Sequence, residues 1–381
     1  MTAAPAAPGS IGLLTAAVAI VGANSLLLSP IATAVAADLP GTDAAAVMLA
    51  AAAFGLGTAA SALLLAPQVD RIGADRALIR AVLGMAAGLG LSALAPGLFW
   101  LAAAQSICGI AAGLALPAAY ALAAQIAPRG QEGRTIGRVL SGWTISLVFG
   151  VAGSAALTDL IGWRAVYGLL AAGGAGVALA LWRAAPPGRS GRAARSPLAA
   201  LAVPGTGRGL MVAGGFFLGF YGFYSFLGAH VTGALGRSTA AAGAVTLAYG
   251  LGFGAGGLAA SVIDRVGPRR MALPVYAGIT GVYIGMVWAV TDFAVLLAWA
   301  FVWGVIQHFG LNLIVARLTA LDPAQRGAIM GLNTMVTYLA VFAGATGFRP
   351  VFEIWGLPAV ALCAAAAVSL AALDAILPRR A

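Results

Sequence analysis

The chain has 381 residues, of which 61% are hydrophobic and 8% charged, with a formal charge of +10 and a mean hydropathy of +0.98. A water-soluble domain carries about 25% charged residues to keep its surface solvated, so lipid is the main solvent of this chain. All 21 cations are arginine, and no polar domain presents an aromatic-interleaved basic patch for a nucleic acid; the charge excess reads as membrane topology.

Residues 1–10 contain no basic residue, and the apolar run that follows continues to Ala36. Ala34-Val35-Ala36 resembles a signal-peptidase site, but a cleaved signal has a basic n-region and an apolar core of about 7–15 residues. The segment is therefore expected to be a permanent first span. A helix needs about 20 apolar residues to cross the hydrocarbon core, and on that measure spans fall near 11–36, 44–66, 77–95, 98–127, 136–160 and 164–183. A second set falls near 209–234, 238–262, 271–290, 293–318, 327–349 and 356–377. The polar stretch 184–208, with Pro186, Pro187, Gly188, Arg189, Arg192 and Arg195, separates the sets. The fold expected is all-α and membrane-embedded: twelve transmembrane helices in two pseudo-symmetric six-helix bundles, residues 1–183 and 209–381, joined by the 184–208 linker.

With an even number of spans both termini share a side, and eighteen of the 21 arginines lie on it. Only Arg164, Arg237 and Arg349 lie on the other. The positive-inside rule then puts both termini in the cytoplasm, and the expected location is a bacterial inner membrane. Cys108 and Cys363 lie inside apolar spans, too few for a disulfide framework or a thiolate metal cage. No metal or other cofactor is expected.

One charged motif occurs twice. Asp70-Arg71-Ile72-Gly73 with Arg76, between spans 2 and 3, returns 194 residues later as Asp264-Arg265-Val266-Gly267 with Arg269 and Arg270, between spans 8 and 9. A charge-dense loop at one place in two halves points to a transporter with internal repeats and gated alternating states.

These residues resemble the major facilitator superfamily, most closely its twelve-span drug:H+ antiporter and arabinose-efflux-permease-like branch. The loop pattern G-x-L-x-D-R-x-G-R-[KR]-x-x-L is met by Asp70, Arg71, Gly73 and Leu78, with Ala66 and Gln68 in place of its first Gly and Leu. Gly162-Trp163-Arg164 with Tyr167 is similar to the family's G-W-R-x-x-F. In span 4, Ala103 to Gly109 corresponds to A-R-x-x-x-G, with Gln105 where the family has arginine. In span 5, Gly142, Gly150 and Gly153 fit the antiporter motif, whose proline is Ala152 here. The resemblance implies that Asp70 meets the start of span 11, near Gly327, when the cytoplasmic side closes; a helix N-terminus would hold that carboxylate.

Polar groups inside a span are expensive and usually line a cavity. No Asp or Glu falls in the middle of a span, and His308 is the titratable group near mid-membrane. It lies 16 residues from Asp292 and 9 from Arg317, or roughly 24 and 13 Å along the helix. An unperturbed pKa near 6.5 would let it exchange protons across the membrane; the alternative is a neutral, hydrogen-bonded histidine. Gln307 precedes it and Asn312 follows at i+4. In span 7, Tyr221 and Tyr224 are candidates because a buried hydroxyl seeks a partner; depth counting adds Asn24, Thr334 and Tyr338, and the span-4 motif adds Gln105. Together they outline an uncharged, aromatic, weakly hydrogen-bonding cavity suited to an apolar or amphipathic ligand. No nucleophile, base and orienting acid share a depth, so an enzyme is not expected.

The function expected is secondary active export of small hydrophobic or amphipathic compounds by rocker-switch alternating access, in a monomer. Its partners are the small-molecule substrate, membrane lipid and, as a candidate coupling ion, the proton. Two alternatives stay open: an importer or facilitator of a small metabolite, and a receptor or assembly factor that does not transport.

Overall fold

The computed structural model describes residues 8–128, 131–184, 197–259, 261–322 and 325–377. In lipid every backbone N–H and C=O must be paired internally, and a helix does this by itself. Among the described residues, twelve helices are long and apolar enough to cross a bilayer. They are α1 (Ser10–Asp38), α2 (Ala44–Leu64), α3 (Ala74–Ala93), α4 (Leu98–Ile126), α5 (Arg134–Ile161) and α6 (Trp163–Ala184). The second set is α7 (Thr206–Ala234), α8 (Thr239–Leu258), α9 (Pro268–Ala289), α10 (Phe293–Thr319), α11 (Arg326–Gly347) and α12 (Arg349–Ile376). The face at which α1 begins and α12 ends is the terminal face; the opposite one is the far face.

Two boundaries differ from the sequence expectation by more than three residues. Helix α8 stops at Leu258 rather than near 262, because the chain breaks before a short helix, Ser261–Val266. Helix α12 starts at Arg349 rather than near 356, because Pro350 in its first turn opens a short segment ahead of Gly356. Gly356 has φ 73°, which bends the helix where the longer apolar run begins.

The repeat is visible in the packing. In the first set α2 packs on α4, α3 on α4 and α6, and α1 on α5 and α6. Adding six to every label gives the contacts of the second set: α8 on α10, α9 on α10 and α12, and α7 on α11 and α12. Backbones touch at the matched crossings. A Cβ on Gly109 of α4 would lie 2.1 Å from the carbonyl oxygen of Phe54, and one on Gly304 of α10 would lie 2.1 Å from that of Tyr249. Small residues supply close packing where lipid removes the hydrophobic drive between helices.

The repeated motif has a repeated geometry. Its two copies close short helices, Ala66–Ile72 and Ser261–Val266, before α3 and α9. Gly73 (φ 93°, ψ 140°) and Gly267 (φ 94°, ψ 136°) make the turn in a region that a Cβ strains. The glycine of Asp-Arg-x-Gly is thus a backbone requirement, separable from whatever its charges do.

On the terminal face the carboxylate of Asp374 binds two arginines of other helices, Arg208 of α7 and Arg317 of α10, the latter at 2.5 Å. Arg208 also donates to the carbonyl oxygens of Asp374 and Leu377, at 3.0 and 3.2 Å, which ties down the end of α12. With 11% of the Asp374 side chain exposed, removing its charge takes away the counter-charge that Arg208 and Arg317 share. Asp374→Asn is expected to destabilise the second bundle by about 2 kcal/mol, the scale of hydrogen bonds to charged groups, read as a lower thermal unfolding midpoint in detergent.

Candidate functional site

The two bundles meet along α2–α11 and α5–α8, which exchange under the same six-helix shift, and along α1–α7 between them. The hydrogen bonds and ion pairs described between the bundles gather in the far half. The hydroxyl of Ser29 donates to the carbonyl oxygen of Tyr224 at 2.5 Å and accepts from the N–H of Gly228 at 3.3 Å. One turn further out, the hydroxyls of Thr33 and Thr232 meet at 2.5 Å. The N–H of Ala240, at the start of α8, donates to Asp159 at the end of α5 (2.7 Å), so a carboxylate of one bundle caps a helix of the other. At the related crossing Arg349 faces Asp43 at 3.6 Å. These contacts seal the far face.

Beneath the seal the seam holds hydroxyls and aromatic rings. The hydroxyl of Tyr224 donates to the carbonyl oxygen of Leu26 (3.0 Å) and lies 3.2 Å from that of Thr246, so it belongs to the seal. Tyr221 and Tyr338 both approach Ser25 of α1, yet the Ser25 hydroxyl makes no hydrogen bond of good geometry. Neither does the Tyr338 hydroxyl, whose ring packs edge-on against Phe54 with centroids 5.9 Å apart.

His308 is half-buried on α10. Its ring lies against Phe253 of α8 at 4.6 Å between centroids and fills the space beside Gly256 and Gly257, while its Nδ1 has no partner. Gln307 is buried with Oε1 unpaired, as is Asn333 of α11 with Oδ1 unpaired. Asn312 and Thr334 turn back on their own helices, donating to the carbonyl oxygens of His308 and Met330 at 3.0 and 3.1 Å. Asn24 and Gln105 are brought together inside the first bundle. Their amides exchange hydrogen bonds at 3.0 and 3.2 Å, and Gln105 also donates to the hydroxyls of Ser92 (3.1 Å) and Tyr167 (3.5 Å).

A sequence model of the Major Facilitator Superfamily matches residues 13–345. The chain belongs to the Major Facilitator Superfamily. It is 28% identical over 362 residues to the MFS-type transporter YwfA of Bacillus subtilis, spanning 93% of this chain and 88% of the relative. It is 29% identical over 268 residues to a chloramphenicol resistance protein of Streptomyces lividans, covering 68% and 67% of the two chains. Among solved structures it superposes on a bacterial homologue of the human lysosomal transporter Spinster, in an inward-facing and unoccupied conformation. The TM-score is 0.74, with 17% identity and 98% and 96% of the two chains covered.

As a Major Facilitator Superfamily transporter, the protein departs from the motif expected in span 4 with a stated geometry. Gln105 stands where the resemblance implies arginine, and three neutral partners satisfy it with no surface left exposed. A buried arginine would need a counter-charge, whereas this neutral cluster ties α1, α3, α4 and α6 into one body. Of the loop motif, Arg71, Arg76, Arg265, Arg269 and Arg270 are exposed. The side chains of Asp70 and Asp264 lie outside the described residues, as do linker residues 185–196. A Cβ on Gly327, the helix start that the resemblance pairs with Asp70, would meet nothing within 4 Å.

Sequence reasoning passed over Ser25, Asn333 and the shared carboxylate of Asp374. The first two share a depth with residues already singled out, Asn24 and Thr334, and the same depth counting reaches them.

Proposed function

We propose that the protein is a secondary active exporter of small, uncharged hydrophobic or amphipathic compounds in a bacterial inner membrane, working by rocker-switch alternating access. The observation that carries this is the one-sided seam: the far halves of the bundles are bonded to each other. Below that seal lie buried polar groups left unpaired, at Ser25, Gln307, His308, Asn333 and Tyr338. Unpaired buried polar atoms each cost about 1–3 kcal/mol, and a transporter keeps such groups for its cargo. On this assignment the arginine-rich terminal face is cytoplasmic and the state described is open inward. The relative named a chloramphenicol resistance protein supports a small, uncharged aromatic cargo. Gln105 and Ala152, in place of the antiporter arginine and proline, favour a second reading as a facilitator.

Counterflow of labelled chloramphenicol into proteoliposomes is expected without a gradient, and a pH gradient should raise its extent. No counterflow for chloramphenicol or for a panel of lipophilic dyes would remove the transport assignment; counterflow indifferent to the gradient would select the facilitator. Orientation is tested separately, with Cys108 and Cys363 replaced. Ala199→Cys, exposed beside α7, should not react with an impermeant maleimide added to intact cells, and labelling from outside would invert the topology.

A further inference from the structure

Ser25, Tyr221 and Tyr338 come from three helices and both bundles, yet they share one depth. They lie 15, 15 and 12 residues from the terminal-face ends of α1, α7 and α11, about 22, 22 and 18 Å along each helix. Their residual exposures are 8%, 7% and 2%. The Tyr221 and Tyr338 hydroxyls both come within reach of Ser25, yet neither Ser25 nor Tyr338 completes a hydrogen bond of good geometry, and packing alone would be served by Phe or Ala. One helical turn above stand Ser29 and Tyr224, the polar contacts of the seal. Hydroxyls both donate and accept, and no Asp, Glu or Arg lies in the middle of these spans. A carboxylate or ammonium placed there would be an uncompensated charge at low dielectric.

We infer that Ser25, Tyr221 and Tyr338 form the subsite that grips the single neutral hydrogen-bonding group of the cargo, a hydroxyl, carbonyl or amide, when the seam loosens by the width of that group. This rests on the transport reading above and adds to it the head-group chemistry and the specificity role of Ser25 and Tyr338. The apolar body of the cargo lies toward Phe217, half-buried and 6.4 Å from the Tyr221 ring. Because the grip spans both bundles one turn below the seal, binding bears on the contacts that must break for the far side to open.

The test uses the full-length protein in detergent. Without ligand, Tyr338→Phe and Ser25→Ala each remove an unsatisfied hydroxyl, so the unfolding midpoint should hold or rise by roughly 2–4 °C. A fall would mean that these hydroxyls are structural and would overturn the subsite. Benzyl alcohol, benzamide, benzoate and benzylamine are then compared at equal concentration as stabilisers. The two neutral compounds should raise the wild-type midpoint and the two ions should not, and the double variant should bind the neutral pair at least about tenfold more weakly, as for loss of a hydrogen bond or two. Equal stabilisation by an ion, no stabilisation by any of the four, or unchanged binding in the double variant each sinks the subsite. Counterflow keeps the two claims apart. Chloramphenicol exchange in the wild type that is unaltered in the double variant overturns the subsite alone. Head-group selectivity with no exchange of any compound overturns the transport reading alone.

Discussion

Gly228→Val is expected to shift the transporter out of the state in which the far face is sealed, and to cut exchange by ten- to a hundredfold. A Cβ at this position would lie 1.9 Å from the carbonyl oxygen of Ser29, 2.4 Å from its carbonyl carbon and 2.6 Å from the Cα of Pro30. All three are backbone atoms, so no side chain can turn aside, and α1 and α7 must separate. Separation would also lengthen the bonds from Ser29 to Tyr224 and Gly228 and the Thr33–Thr232 contact one turn beyond. Overpacking of this kind typically costs about 1–3 kcal/mol. The cost falls on the state in which these helices touch and is absent where they have rocked apart. Each 1.4 kcal/mol is tenfold in an equilibrium, so the population moves by the factor stated. The measurement is labelling of Thr33→Cys by an impermeant maleimide from outside, in a background lacking Cys108 and Cys363. Rapid labelling with Gly228→Val, against slow labelling with Gly228 intact, is the expected result. Equal rates would show that the crossing does not seal that face.

The twelve spans were legible because hydrocarbon imposes a length and a polarity that few other environments impose. Boundaries went astray where backbone rather than hydropathy decides: at Gly356, where a positive φ joins a short preceding segment to the apolar run, and before Ser261, where a short helix carries the loop motif. The pairing of polar side chains was less legible. Asn24 and Gln105 were both expected to line the cavity, and only the packing of α1 on α4 turns them toward each other. Asp374 reads in sequence as one acid near the end of the last span, and nothing local says that Arg208 and Arg317 converge on it from 166 and 57 residues away. Gly73 and Gly267 are the opposite case. The repeated tetrapeptide announced a repeated turn, and both copies make it with nearly the same backbone angles.

His308→Gln is expected to abolish cargo accumulation driven by a pH gradient while leaving gradient-free counterflow within about twofold of wild type. Coupling requires a group that takes up and releases a proton within the cavity, and no Asp or Glu lies at mid-span to do so. His308 is at that depth, half-buried, with Nδ1 unpaired. The neighbours it packs against on α8, Phe253, Gly256 and Gly257, do not titrate, so its charge would be governed by water and cargo that reach it rather than by a fixed partner. A histidine locked into a hydrogen-bond network would have both ring nitrogens engaged, as Gln105 has its amide engaged in the first bundle. Glutamine keeps a similar size and hydrogen-bonding capacity but cannot titrate, which separates coupling from packing. One pH unit corresponds to about 1.4 kcal/mol per proton, so one-proton exchange allows about tenfold accumulation in inverted vesicles made acid inside by one unit. The wild type should approach that ratio and His308→Gln should stay near one. Accumulation that persists in the variant would move coupling to another group. Wild-type accumulation already near one would make the protein a uniporter, in which His308 serves the cavity wall alone.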